Sequence, residues 1–303
     1  MNQREFAQAD IEAMIALSRA SAICPWRIAD LPYRFSSWAL DDPHYARLWV
    51  DAAGRLRAWA VMQVPFWTID YTCDPAAGAG LHRQILAWAD RRAREILDTP
   101  RGLPSWYVTV LPGQAERIRD LEAAGFTPQA DRGEDSWSKV LMARPAEAPL
   151  PEHPLPTGCT LRPLAGEGEV EAYVQLHRAA FETRNMTAEW RARTLRRPEH
   201  LPALDLVAVA PDGRLAAFCI GWLSRIAGQP SGQVEPLGVH PSFRQLGLGR
   251  AILAEGLRRL HDCGAAQVYV ETDNHRGAAF DLYESAGFRV IQDVLVYGKE
   301  YRS

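Results

Sequence analysis

Three short patterns occur twice in this 303-residue chain, in the same order and at nearly constant separation. Gly54-Arg-Leu-Arg-Ala-Trp-Ala60 returns as Gly213-Arg-Leu-Ala-Ala-Phe-Cys219, at an offset of 159 residues. Gly80-Leu-His-Arg-Gln-Ile-Leu86 returns as Gly247-Leu-Gly-Arg-Ala-Ile-Leu253, and Leu121-Glu-Ala-Ala-Gly-Phe126 as Tyr283-Glu-Ser-Ala-Gly-Phe288, at offsets of 167 and 162. Such a period is too long for a solenoid and predicts a duplicated domain, which a chain of this length accommodates. Five prolines fall from Pro145 to Pro156, near the midpoint. They cannot continue a helix or a central strand and read as a stiff interdomain connection. The expected layout is a first domain over 1–142, a linker over 143–158 and a second domain over 159–303.

Composition narrows the class. The chain is 47% hydrophobic and 23% charged with a net charge of −3, which excludes a disordered chain and offers no basic footprint for nucleic acid. No apolar run approaches the length needed to span a membrane. Met1 to Ala20 carries three acidic residues and lacks the form of a signal peptide. The five cysteines, at 24, 73, 159, 219 and 263, form no CxxC pair and fit a reducing compartment. The expectation is a soluble, cytoplasmic protein.

In the second half, Thr160-Leu-Arg reads as a strand and Val170–Ala180 as a helix. Asp205–Ala210 and Leu215–Leu223 read as a hairpin about Asp212-Gly213. Gln233–Val239 reads as a strand, Arg250–Asp262 as an amphipathic helix closed by Gly264, and Gln267–Glu271 as a strand. A helix over Ala278–Ala286 and a strand over Val290–Tyr297 follow. This order predicts an α/β (α+β) domain with a mixed sheet.

The sharpest feature is Val239-His240-Pro241-Ser-Phe-Arg244-Gln245-Leu246-Gly247-Leu248-Gly249-Arg250, between a strand and a helix. Glycines there allow close backbone approach, and free N–H groups at the helix start attract an anion. With Arg244 and Arg250 they predict a phosphate or pyrophosphate ligand. No GxxxxGK[ST] stretch exists. A dinucleotide fingerprint would place its first glycine directly after the strand, whereas seven residues separate Val239 from Gly247. A nicotinamide-dependent oxidoreductase is therefore the weaker reading. His240 reads as a surface residue.

Arg244-Gln245-Leu246-Gly247-Leu248-Gly249 resembles the [RQ]xxGx[GA] signature of the GNAT superfamily of acyl-CoA-dependent N-acyltransferases. Val239-His240-Pro241 matches the preceding turn, and Tyr283-Glu-Ser-Ala-Gly287-Phe288 a later Tyr-x-x-x-Gly-Phe element. The resemblance implies two GNAT-like domains, each a mixed central sheet flanked by helices, with acetyl-CoA as cosubstrate and no metal. It implies that pantetheine pairs with the strand Leu237-Gly238-Val239 between two splayed strands. The amides of Gln245 to Arg250 would then hold the pyrophosphate. Pro236 suits the bulge the family places in that strand. Tyr283 becomes the acid for the leaving sulfur. Glu235, which shares a strand face with Leu237 and Val239, becomes the candidate base for an amine that arrives protonated. Ala279 fits the following helix; the family's asparagine position is Arg276 here, and Asn274 lies two residues earlier.

Aligned through the repeat, Gly249 corresponds to His82, Tyr283 to Leu121 and the Arg244 region to Ala76-Ala77. The first copy is thus expected to keep the fold without a competent coenzyme site. Most of its tryptophans (Trp26, Trp38, Trp49, Trp59, Trp67, Trp88, Trp106, Trp137) are expected in the core. A tandem with a degenerate first copy is also similar to mycothiol synthases. The acceptor, a small-molecule or peptide amine, is not readable. A monomer whose two domains form a pseudo-dimer is expected, and a non-catalytic acyl-CoA sensor or scaffold is the alternative.

Overall fold

The computed structural model describes residues 1–21, 27–78, 80–130, 132, 136–150, 152–274 and 277–302; Cys24, Trp26, Pro151 and Arg276, read above, lie outside them. In chain order the first half forms β1 (Asn2–Glu5), α1 (Ile11–Ala20), α2 (Arg27–Phe35), β2 (Ala46–Val50), β3 (Leu56–Gln63), β4 (Thr68–Cys73), α3 (Leu81–Ile96), β5 (Ser105–Val110), α4 (Ala115–Ala123), β6 (Thr127–Pro128) and β7 (Lys139–Pro145). The second half forms β8 (Thr160–Pro163), α5 (Val170–Phe181), α6 (Ala188–Leu195), β9 (Asp205–Val209), β10 (Leu215–Ile226), β11 (Gln229–Val239), α7 (Leu248–Asp262), β12 (Gln267–Asp273), α8 (Ala278–Ser285) and β13 (Arg289–Glu300). Every element read from the second half is present within a few residues. The additional helix, α6, is only eight residues long and too short to show a periodicity.

The chain divides into two compact units, one of Met1–Ile28, Trp38–Val140 and Gln292–Ser303, the other of Ala29–Ser37 and Leu141–Ile291. These units differ from the two halves of the sequence in three segments. Most of α2 counts with the second unit. The last strand of each half is exchanged: β13 pairs antiparallel with β5, and β7 lies beside β12. The proline-rich stretch accordingly opens in packed structure. Arg144 is 1% exposed and donates to the Ala286 carbonyl at 2.8 Å, while the Ala146 N–H donates to the Ala266 carbonyl at 3.0 Å.

In the first unit β1 to β5 and β13 form one sheet, antiparallel except for a parallel contact of β4 with β5 at Thr68 and Tyr107. The stripe Leu81, Ile85, Trp88, Ala89 and Ile96 of α3 is buried, as helical spacing dictates. Trp49, Trp59, Trp88 and Trp106 are buried, whereas Trp67 is 40% exposed. In the second unit β8 to β12 run in sequence order, with β9–β10 and β10–β11 antiparallel and β11–β12 parallel. Leu248, Ile252, Leu253, Leu257 and Leu260 of α7 are buried.

One charged pair lies wholly inside the second unit. Arg191 donates to Asp205 at 2.5 Å, their side chains 0% and 1% exposed, and His200 sits 2.8 Å from the same carboxylate. Burial pushes the Asp205 carboxyl up, but Arg191 and His200 outweigh it and hold the group below its ordinary value. Its contribution is therefore present above the unfolded carboxyl value, about pH 4, and is lost as pH falls through the lower folded value. Removing the Arg191 cation leaves the buried carboxylate with His200 alone. Arg191→Met should cost about 3–5 kcal/mol in denaturant unfolding; a cost under about 1 kcal/mol contradicts this.

Candidate active site

The site grows from a defect in β11. Cys219 pairs with Leu237 and Gly221 with Val234, so Ile220 alone faces both Glu235 and Pro236. This two-against-one count is a β-bulge, as Pro236 predicts, since proline cannot donate to the ladder; the Glu235–Pro236 peptide is cis. Pairing of β11 with β12 covers Ser231, Gly232 and Gln233 against Gln267, Val268 and Tyr269. Beyond Gln233 no pair joins the two strands among the described residues, although β12 runs on to Asp273. The strands thus part just before the bulge, and the β11 backbone past it has no β12 partner. A backbone edge of this kind accepts an extended amide chain such as pantetheine.

Glu235, Leu237 and Val239 are half-buried, while Pro236 and Gly238 are buried; the bulge interrupts the alternation of faces between Glu235 and Leu237. Gly238 admits no side chain, because a Cβ would lie 2.5 Å from the Phe218 ring. After Val239, His240 lies at the surface, where its Nδ1 accepts the Ser242 N–H at 3.2 Å and caps the turn Pro241–Phe243. Gln245 and Gly247 follow with φ of +63° and +87°, and Gly247 is the N-cap of α7. The first three N–H groups of that helix, at Leu248, Gly249 and Arg250, have no intrahelical acceptor and carry the positive end of its dipole. Gly249 packs near Val239, with 3.4 Å from a built Cβ to Val239 Cγ2. Gln245 and Leu246 are exposed beside them. This cradle suits a pyrophosphate.

The two arginines behave differently. The Arg244 guanidinium donates to the Ala180 carbonyl at 2.8 Å and to the Val239 carbonyl at 3.4 Å, with Glu182 3.9 Å away. It fastens the loop to the end of α5. Arg250 is exposed on the first turn of α7 and has no ion-pair partner among the described residues. Asn274 is exposed in a bend after β12, and Ala279 is exposed on the first turn of α8.

Tyr283 lies on α8, 8% exposed, its ring 5.7 Å edge-on from Phe288. Burial, with Glu235 and Cys219 adding to it, pushes its phenol far above the ordinary tyrosine value. The Glu235 charge thus acts on Tyr283, 48 residues away in sequence. Two further phenols feel Glu235. Burial raises both Tyr33 and Tyr173, with Glu235 adding in each case. The Trp222 indole donates to the Glu235 carbonyl at 2.6 Å and fixes the bulge. The Cys219 thiol is pushed up to about 12 by burial and then by Asp205, so it is protonated and no nucleophile. Sequence reasoning missed Tyr33, Tyr173 and Trp222. Trp222 faces Gln233 across the hairpin, a register the hairpin could have disclosed. Tyr33 carries no such local signal.

The equivalent position in the first unit is built alike and then filled. Asp74 caps the turn Pro75–Ala77, and Gly80 is the N-cap of α3 with φ of +104°. There, however, His82 occupies the third position of the motif, its Nε2 3.3 Å from Cys73 Sγ and its ring 5.8 Å from Tyr71. Burial, and then Arg117, lowers the His82 value, leaving a neutral ring where the second unit has Gly249. Leu121, in the place of Tyr283, is a fully buried core residue.

Among the described residues no His, Cys, Asp and Glu cluster could hold a metal, and no helix is long and apolar enough to cross a membrane. The family model described as Acetyltransferase (GNAT) family matches residues 170–288. A mycothiol acetyltransferase of Salinispora arenicola (strain CNS-205) is 33% identical over 228 residues, 71% of each chain. The solved structure of a GCN5-related N-acetyltransferase from Sphaerobacter thermophilus superposes with a TM-score of 0.63 at 22% identity, covering 100% of this chain and 96% of that one. A tandem GNAT protein from the clavulanic acid biosynthesis pathway gives 0.61 at 16% identity, covering 100% and 99%. The chain belongs to the acetyltransferase (GNAT) family and is an enzyme that moves an acetyl group from acetyl-CoA to an amine.

Proposed function

We propose that the acetyl group passes by direct attack within the second unit, and that the acceptor is a small-molecule amine of the kind the mycothiol acetyltransferases act on. The observation that carries this reading is the placement of Glu235 at a bulge beside the parting of β11 from β12, with Tyr283 close by. An alkylammonium must lose a proton before it attacks a thioester. Glu235 takes that proton, directly or through one water. The amine nitrogen then bonds to the acetyl carbon, the carbon–sulfur bond breaks, and the nitrogen's surplus proton passes to the departing sulfur. The buried Tyr283 phenol is a weaker acid than a thiol, so it stabilises the leaving thiolate chiefly by donating a hydrogen bond. Direct attack is favoured over an acyl-enzyme because the cysteine of this pocket, Cys219, stays protonated. Gln245 to Arg250 hold the pyrophosphate through backbone amides, Arg250 adds charge, and Leu237 to Val239 pair with pantetheine. Arg244 keeps the loop in shape. The first unit keeps the fold, and His82 blocks its coenzyme loop.

Supplying acetyl-CoA and mycothiol stripped of its acetyl group should give the acetylated product by mass spectrometry, faster than with a peptide N-terminus or free lysine. Equal or greater turnover of the peptide would overturn the acceptor class. Glu235→Gln should lower kcat about 10²-fold, the low end for a general base, with the KM for acetyl-CoA little changed.

A further inference from the structure

We infer that Tyr33, supplied by the first half of the chain, is a positioning residue for Glu235, so that the catalytic unit is incomplete without α2. This rests on the reading of Glu235 as base. Ala29–Ser37 counts with the second compact unit, although about 120 residues of sequence separate it from β8. Within that unit Tyr33 is 2% exposed and held on three sides. The Trp190 indole donates to its carbonyl at 3.0 Å, the two rings lying 5.1 Å apart. Its hydroxyl lies 3.3 Å from His177 Nε2. Burial, then Arg191 and Arg178, lower the His177 value to about 3, so this ring is neutral and can accept the phenol's hydrogen. On its other side the Tyr33 ring lies 6.4 Å from Trp222, the residue whose indole fixes the Glu235 carbonyl. The path from α2 to the base is thus two contacts long. The hydroxyl sets the angle of the Tyr33 ring through His177, the ring backs Trp222, and Trp222 holds the bulge that aims the carboxylate. The fully buried Tyr173 hydroxyl, without a hydrogen-bond partner among the described residues, borders the same place.

The test uses the full chain and two readouts at saturating acetyl-CoA: transfer to mycothiol stripped of its acetyl group, and hydrolysis of acetyl-CoA without amine. Tyr33→Phe keeps the ring and removes the hydroxyl. It should lower kcat about tenfold in both, the size of one lost hydrogen bond, with the KM for acetyl-CoA unchanged and a melting temperature within a few degrees of wild type. Unchanged kcat in both, or a rise in the KM for acetyl-CoA as large as the fall in kcat, overturns the inference. Glu235→Gln run alongside separates the two readings. If it leaves hydrolysis unchanged, the base assignment fails; if it slows hydrolysis while Tyr33→Phe does not, only the role of Tyr33 fails.

Discussion

Replacing Tyr283 by phenylalanine should lower kcat about 10³-fold, within the range that positioned proton donors contribute, and leave acetyl-CoA affinity nearly unchanged. The hydroxyl is removed while the ring that packs against Phe288 remains. Burial beside Glu235 and Cys219 keeps this phenol protonated across the working pH range, so no titration of Tyr283 should appear in the pH–rate profile. Ionising it would place a second negative charge near Glu235 in a poorly solvated pocket, which is costly. Its service is therefore differential: it meets negative charge on sulfur that exists only as the carbon–sulfur bond breaks. Steady-state kinetics checks this. A rise in the KM for acetyl-CoA at constant kcat would assign Tyr283 to coenzyme binding instead.

Gly249→His should abolish acetyl-CoA binding, weakening it about 10³-fold. The substitution copies His82 into the second unit. A built Cβ at Gly249 already lies 3.4 Å from Val239 Cγ2 and 3.7 Å from Leu282 Cδ2, so a methyl fits and an imidazole ring does not. The ring must turn toward the cradle and cover amides meant for phosphate oxygens. Losing two charge-assisted hydrogen bonds at about 2 kcal/mol each accounts for that factor. Calorimetric titration checks it, with Gly249→Ala as the control for packing; wild-type affinity in Gly249→His would show that the amides of this turn do not carry the coenzyme.

The two copies were legible because their defining features are local. A strand, a proline turn, a left-handed glycine and an amphipathic helix are written within about twenty residues. The bulge was legible from Pro236 alone, since proline has no N–H to give the ladder. The exchange of β7 and β13 was not, because nothing local in either strand says which sheet edge it joins. Tyr33 was hidden for the same reason. A tyrosine on a short helix that contains Pro32 gives no sign of which core it enters. At Arg244 the motif disclosed the position but not the contacts: its guanidinium is held by the Ala180 and Val239 carbonyls. A motif fixes where a backbone goes more firmly than where a long side chain ends.

This duplicated chain is expected to hold one coenzyme site. Isothermal titration of the full chain with acetyl-CoA counts the sites directly. One molecule per chain, falling to none in Gly249→His, is the predicted result; two per chain, or one remaining in Gly249→His, would contradict it.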